Sequence, residues 1–433
     1  MNPDKVVLPT VRWIGQHPKV SHALFRFAKY NPFDPRRQSW PYPVYDEMSR
    51  GKPIVYSRVF KDWTVFGYDE VLDVLRSPDV STAGVVARLR NLAPYDKMSA
   101  PAMDNFARWL PFVDPPDHTR LRSAVARTFT PKRIAEHQPR VKAIVDQLLV
   151  DLTDDPEPDV IGDFASPLPV YVIADIVGLP HEQFDWLHRT STEIAGLLEI
   201  MQPFDPDSMS NRFAELHHTF SDLIAARRRE PRDDLITALA TDPDSDVNDD
   251  DIIALIVVLM FAGHETTTGL IGTTLLALSK HPDQRTRLRE HPELIDNAIE
   301  EFLRYDPPAQ TAVRTTTGPV RAGDTTIPPG ANVALMIGAA NRDRRRWPDA
   351  DDLRIDRPNP KPISFGHGIH HCLGAALTRL EMRIAIPAFL HAFGDYTIDE
   401  DSITWKQSNT LRGITHMTAQ PKRSSASPSF DAF

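Results

Sequence analysis

Cysteine occurs once in the 433 residues, at position 372, inside Phe365-Gly366-His367-Gly368-Ile369-His370-His371-Cys372-Leu373-Gly374. One thiol can form neither an internal disulfide nor a multi-cysteine metal cage, so the sulfur is either inert packing or a single ligand. Its surroundings favour the ligand. Gly366, Gly368 and Gly374 allow backbone to approach a bound group without a steric clash. Ala375 to Met382 are good helix formers, with no proline before Pro387, which places Cys372 at a helix N-terminus. There, free amides and the helix dipole are expected to lower the thiol pKa. The neighbouring His367, His370 and His371 raise the thought of a copper or zinc cluster, but the next methionine, Met382, lies too far along for a blue-copper loop.

A second group of reactive side chains sits in the most apolar part of the chain. Ile252 to Phe261 run straight into Ala262-Gly263-His264-Glu265-Thr266-Thr267-Thr268. This apolar run is shorter than the ~20 residues that cross a bilayer, and a helix apolar on every side belongs inside a large protein. Starting near Asp250 or Asp251 and ending before Pro282, it spans about 30 residues and roughly 45 Å. A glutamate and three threonines in its middle are expensive unless hydrogen-bonded or used. The threonines could simply bond back to carbonyls one turn earlier and bend the helix. His264-Glu265 could open the His-Glu-x-x-His pattern of a zinc protease, but position 268 is threonine.

Taken in order, these segments resemble the cytochrome P450 monooxygenases. Phe365 to Gly374 fit that family's Phe-x-x-Gly-x-His-x-Cys-x-Gly haem signature, and 262–267 fit its Ala/Gly-Gly-x-Asp/Glu-Thr-Thr motif. The resemblance implies haem b as cofactor, with Cys372 as the axial ligand of its iron and Phe365, Gly368 and Gly374 shaping the loop. It also implies that the long helix crosses the oxygen-binding face at Ala262 and Gly263, where Glu265 relays protons and Thr266 hydrogen-bonds the oxygen. His118, Arg122, Arg314 and His370 would meet the haem propionates. Glu301, Arg304 and Arg357 would form a buried, purely structural charge triad behind the haem.

The family fold implied is mainly α with a small β portion, the haem lying between the long central helix and the cysteine-loop helix. Residues 1–423 would form a single domain and 424–433 a frayed tail. Short strands are predicted at Pro53 to Tyr56, Trp63 to Gly67, Val313 to Thr317 and Thr325 to Val333, the last interrupted by a Pro-Pro-Gly turn.

By the same resemblance the chain inserts one oxygen atom of O2 into a hydrophobic small molecule, using electrons from a ferredoxin and its reductase. The expected pocket includes Val258, Phe261, Ala262, Gln310 and Ala312, with Phe106, Trp109 and Phe112 leaving a spacious apolar site. A peroxide-driven haem peroxygenase and a non-catalytic haem or ligand-binding protein are the alternatives. The intact Glu265-Thr266 pair weighs against both.

A net charge of −10 argues against nucleic acid as a partner. Arginines nonetheless crowd between Arg342 and Arg357, and Arg120, Arg122, Arg127, Lys132 and Arg133 cluster earlier; on the resemblance, both regions are where an acidic ferredoxin docks. The early Val6-Val7-Leu8 is followed by Pro9, so neither a secretion signal nor a membrane span is expected, and a cytoplasmic location is. Trp13, Ile14, Leu24, Phe25 and Phe27 could form an amphipathic surface helix that touches membrane.

Overall fold

The computed structural model describes residues 36–58, 61–91, 94–198, 204–408 and 410–421. The N-terminal aromatic segment and the 424–433 tail lie outside them.

Six helices position the site: α1 (Asp117–Ala126), α2 (Pro167–Val177), α3 (Phe184–Ala195), α4 (Asp249–Lys280), α5 (Ile295–Tyr305) and α6 (Ala375–Phe393). The 32-residue α4 is the axis of the larger hydrophobic core. Its start is set by a capping box. The Asn248 side chain accepts from the Asp251 N–H at 2.9 Å, and Asp251 returns the bond to the Asn248 N–H at 3.3 Å. Asp251 is itself gripped by Arg108 and Arg120, each at 2.6 Å, which ties the buried helix end to α1. Helices α2 and α3 pack along its flank.

Two segments, 160–177 and 249–280, are long and apolar enough to cross a membrane by composition, yet 72% of each apolar window is buried within the protein. Their apolar surface is therefore spent on the core.

Helix α6 runs on through Pro387 to Phe393. Proline removes one backbone donor from the helix. Ile386, Phe389, Leu390 and Phe393, all buried, hold the last turns against the core regardless.

The β portion is small. Its five-stranded sheet contains β1 (Ile54–Ser57), β2 (Asp62–Val65), β3 (Val80–Ser81), β4 (Ala312–Thr316) and β7 (Asn332–Leu335) in the order β1-β2-β7-β4-β3. β2 pairs parallel with β7, Trp63 opposite Val333, and the remaining pairings are antiparallel. Two-stranded ribbons join β5 (Val320–Ala322) to β6 (Thr325–Ile327), β8 (Tyr396–Ile398) to β11 (Ala419–Pro421), and β9 (Thr404–Trp405) to β10 (Ile414–His416). The predicted strands recur within a residue or two. The run from Thr325 splits into β6 and β7 because Gly330, at φ +74°, turns the chain between them.

Candidate functional site

The cysteine loop is closed by its own backbone: the Cys372 N–H donates to the Phe365 carbonyl at 2.8 Å. Gly366 and Gly368 take φ of +68° and +71°, which glycine reaches without strain. At Gly368 a Cβ would also stand 3.1 Å from the Leu75 carbonyl oxygen. Gly374 faces open space and hands the chain to α6. Across the gap, Thr267 of α4 and Thr378 of α6 meet hydroxyl to hydroxyl at 3.4 Å. The sulfur's helix and the Glu265-Thr266 turn are thus brought side by side.

The expected fall in the Cys372 pKa does not occur. Burial pushes the thiol up, and the opposing pull of the Gly374 N–H, Arg122 and Arg379 is weaker. Desolvation of a thiolate outweighs one helix terminus here. A sulfur so placed ionises when a metal takes its lone pair, since a coordinating thiol is deprotonated outright.

Within α4 the residues from Asp251 to Phe261 are buried, then Ala262 is exposed and Gly263 half-buried. A Cβ on Gly263 would meet nothing closer than Ile173, at 4.0 Å. The helix therefore opens onto free space at one point in its middle. Thr266 Oγ1 donates to the Ala262 carbonyl at 2.8 Å, the back-bonded arrangement. Its oxygen can still accept a hydrogen bond from the open side.

Glu265 forms an ion pair with Lys406, a residue with no part in either sequence motif. His264 is satisfied on both nitrogens by Ser166 and Ser191, at 3.0 Å each, and Ser166 also meets His188 at 2.7 Å. Burial drives the His264 pKa to about 4, so this imidazole is neutral. Among the described residues no three His, Cys, Asp or Glu side chains converge as a metal cage.

Four basic residues gather on the other side of the sulfur. His118 and His370 approach ring to ring at 4.5 Å, and Arg122 donates to the His371 carbonyl at 2.7 Å. Arg314 donates to the Val313 carbonyl at 2.8 Å. Burial, then Arg314 and His118, push His370 down to about 4. His118 is lowered by burial and Arg122, and Arg314 by burial. Asp114 offers some relief, but it is already held by Ser81 and Thr82. His118 is 2% exposed, and its Nε2 has no partner among the described residues. A cluster that depresses its own basicity and leaves a buried donor unmet fits an anionic group. The carboxylates of haem match that chemistry, as the lone sulfur and the open turn at Ala262 and Gly263 match its iron and its face.

Behind the sulfur, Glu301 receives Arg304 at 2.7 and 2.8 Å and Arg357 at 3.0 and 3.1 Å. The remaining guanidinium hydrogens reach the carbonyls of Asn341, Ala350 and Asp352 from Arg304, and those of Asp349 and Asp352 from Arg357. All three side chains are buried.

The expected pocket changes most. Phe106, Trp109 and Phe261 do not line an open site: Trp109 stacks on Phe261 at 5.6 Å and meets Phe106 edge-on at 4.9 Å, and both Phe106 and Trp109 are 0% exposed, while Phe112 is half-buried against them. They are packed core, because aromatic edges satisfy one another more cheaply than they face water. Val258 is buried too. Gln310 accepts from the Tyr45 hydroxyl at 2.8 Å through its Oε1 and donates its Nε2–H to the Pro307 carbonyl at 2.6 Å, so it braces the loop. Ala262, Ala312 and Val313, the last 42% exposed, keep open surface.

The arginine-rich stretch is also committed internally. Arg342 lies over Tyr42 and Tyr305, Arg345 binds Glu70 at 2.6 Å, Arg346 lies over Tyr68, and Arg354 binds Asp349 at 2.6 Å. Sequence reading also missed Glu381 on α6, a buried carboxyl raised to about 8 by desolvation and bonded to Thr267. Its signal was available: position 381 falls on the inward stripe that Leu377 and Leu380 define.

The family model of cytochrome P450 matches residues 63–421. Cytochrome P450 107B1 of Saccharopolyspora erythraea is 36% identical over 369 residues, which cover 83% of this chain and 89% of that protein. The vitamin D(3) 25-hydroxylase of Pseudonocardia autotrophica is 40% identical over 314 residues, 70% and 76% of the two chains. Among solved structures, that of CalO2 superposes with a TM-score of 0.84 at 28% identity, covering 90% of this chain and 99% of its own.

Proposed function

Because the chain belongs to the cytochrome P450 family, and so is a haem b monooxygenase acting on a small molecule with dioxygen and redox partners, we propose specific roles for its residues. Cys372 is the iron ligand, and His118, Arg122, Arg314 and His370 hold the propionates. Glu265 and Thr266 manage protons on the opposite face, and Glu301, Arg304 and Arg357 brace the loop. The carrying observation is the pairing of one half-buried sulfur with one opening in an otherwise buried helix, the two linked by Thr267 and Thr378.

Bound haem supplies the one-electron and oxygen chemistry that no side chain provides. The chain's contribution is placement. Gly263 leaves room beside the helix backbone, and the Thr266 hydroxyl, anchored on the Ala262 carbonyl, presents an oxygen to that space. Glu265 carries protons in from water. Ala262, Ala312 and Val313 keep apolar side chains at open surface, which suits a hydrophobic substrate such as the vitamin D(3) for which one relative is named.

We propose a ferredoxin as the electron donor. Its docking surface would be the cysteine-loop face, where Ile369 is 53% exposed and Arg76 approaches His367, rather than the internally paired 342–357 stretch. A cytoplasmic location accords with this reading.

The first test is the spectrum of the reduced, carbon monoxide-bound protein. A strongly red-shifted Soret band is expected; a band of histidine-ligated or neutral-thiol haem would remove Cys372 from its role. Thr266→Ala should keep its haem, lose product several-fold and release peroxide. Normal coupling in that variant would defeat the role given to Thr266.

A further inference from the structure

The site contains a cation that neither motif supplies. Lys406 follows β9, and its ammonium group closes on Glu265; the two side chains are only 17% and 12% exposed. The hairpin that carries it is rigidly seated. Lys406 N–H donates to the Gly413 carbonyl at 2.9 Å, Arg412 N–H to the Pro308 carbonyl at 2.7 Å, and Gln310 N–H to the Thr410 carbonyl at 2.9 Å. The Arg412 guanidinium, bound to Asp306 at 2.7 Å, lies 4.1 Å over the Trp405 ring.

Backbone meets backbone where this hairpin touches α4. A Cβ on Gly269 would stand 2.7 Å from the Arg412 carbonyl oxygen, and one on Gly413 would stand 3.5 Å from the Gly269 Cα. Gly269 lies one helical turn beyond Glu265, so the contact fixes the height at which Lys406 reaches the acid. A cavity of about 10 Å³, room for one water, opens beside Lys406 between Gln38, Tyr45, Gln310 and Arg412. Polar side chains, Ser408 among them, line it together with the apolar Leu411, giving a water hydrogen-bonding partners there.

We infer that Lys406 is the positioning residue of the proton relay. It holds the Glu265 carboxylate turned toward the hairpin until the acid takes a proton delivered past Lys406, whose side chain reaches the water-sized cavity, and carries it to the Thr266 side. The step moves one proton and no electrons. It rests on the reading of Glu265 as a proton carrier. The other titratable groups that bear on Glu265 are His264 on the same helix and His188 on α3, both kept toward the neutral form by burial. The Lys406 ammonium is therefore the charged partner held directly against the acid.

The test uses Lys406→Met, Lys406→Arg and Glu265→Gln in the full chain, with and without haem. Removing an adjacent cation raises a carboxyl pKa by about 1–3 units. In Lys406→Met the protonated-carboxyl infrared band, identified by its loss in Glu265→Gln, should persist to correspondingly higher pH in both forms. The acid limb of the turnover profile should move with it, and peroxide release per product should rise several-fold. Lys406→Arg should restore most of each. If Glu265→Gln uncouples turnover while Lys406→Met matches the wild type in band and profile, this inference alone falls. If Glu265→Gln couples normally, the relay reading falls and this inference with it.

Discussion

Two clusters of buried charge flank the cysteine loop, and they are built on opposite principles. The Glu301, Arg304 and Arg357 triad closes on itself: a carboxylate takes a two-pronged fork from Arg304 and the Nε–H of Arg357, and the leftover hydrogens find carbonyls. The His118, Arg122, Arg314 and His370 cluster is left open, with basic groups lowering one another and a buried nitrogen unmet. The first arrangement is architecture, because a satisfied buried ion pair costs a great deal to break and offers nothing to a newcomer. The second is, on our proposal, a cradle for an anion. Charge balance, more than charge content, separates a brace from a binding site.

That contrast can be broken in the laboratory. The largest effect is expected from Glu301→Ala, which strands two buried guanidinium groups and should cost about 3–5 kcal/mol in urea unfolding, with or without haem. A loss below about 1 kcal/mol would mean that the triad is no brace.

Glu381 sharpens the comparison, since it is buried with no cation and answers by staying protonated. Its folded pKa of about 8 lies above the ordinary carboxyl value of 4.5, so the folded state binds the extra proton and stability falls as pH rises between those values. Glu381→Gln should escape that loss and exceed the wild type near pH 8 by on the order of 3 kcal/mol. Parallel pH curves for the two proteins would refute the buried-acid reading.

Next, His118→Ala with Arg314→Leu should speed haem loss to a scavenging globin by about tenfold, a change of roughly 1.4 kcal/mol. Stability of the haem-free protein should hold or rise, because repulsion is relieved. Destabilisation of that form would make the open cluster a second brace.

The smallest effect belongs to Asp349, held at about 2 by Arg357 and Arg354. Its stabilisation is present above the unfolded value of 3.8 and fades as pH drops through 2. Partial exposure screens it, so Asp349→Asn should cost about 1 kcal/mol at pH 7 and nothing near pH 2.

What could be read from the chain was local. The cysteine loop, the Ala262 to Thr267 turn and the Glu301-x-x-Arg304 pair each lie within one or two helical turns, where spacing alone fixes which side chains meet. Arg357 needed the family resemblance, because its partner lies 56 residues away. Lys406 reaches Glu265 across 141 residues, with no pattern to announce it. The aromatic residues were misread for a different reason: Trp109 and Phe261 have the same composition whether they wall a cavity or fill it, and only their stacking decides. The thiol pKa went the other way because a helix terminus is visible in sequence and the depth of burial is not.

The parallel pairing of β2 with β7 bears on how the protein is born. Asp62 of β2 waits for Asn332 of β7, 270 residues later. At ribosomal rates of roughly 5–20 residues per second that wait is on the order of tens of seconds. Throughout it, the edge of β2 away from β1 has no mate, and β4, which carries Arg314, is unmade. A nascent chain therefore completes its central helix long before the sheet can close. Haem capture has to be a late event in biogenesis, and cofactor supply will govern yield after synthesis more than during it.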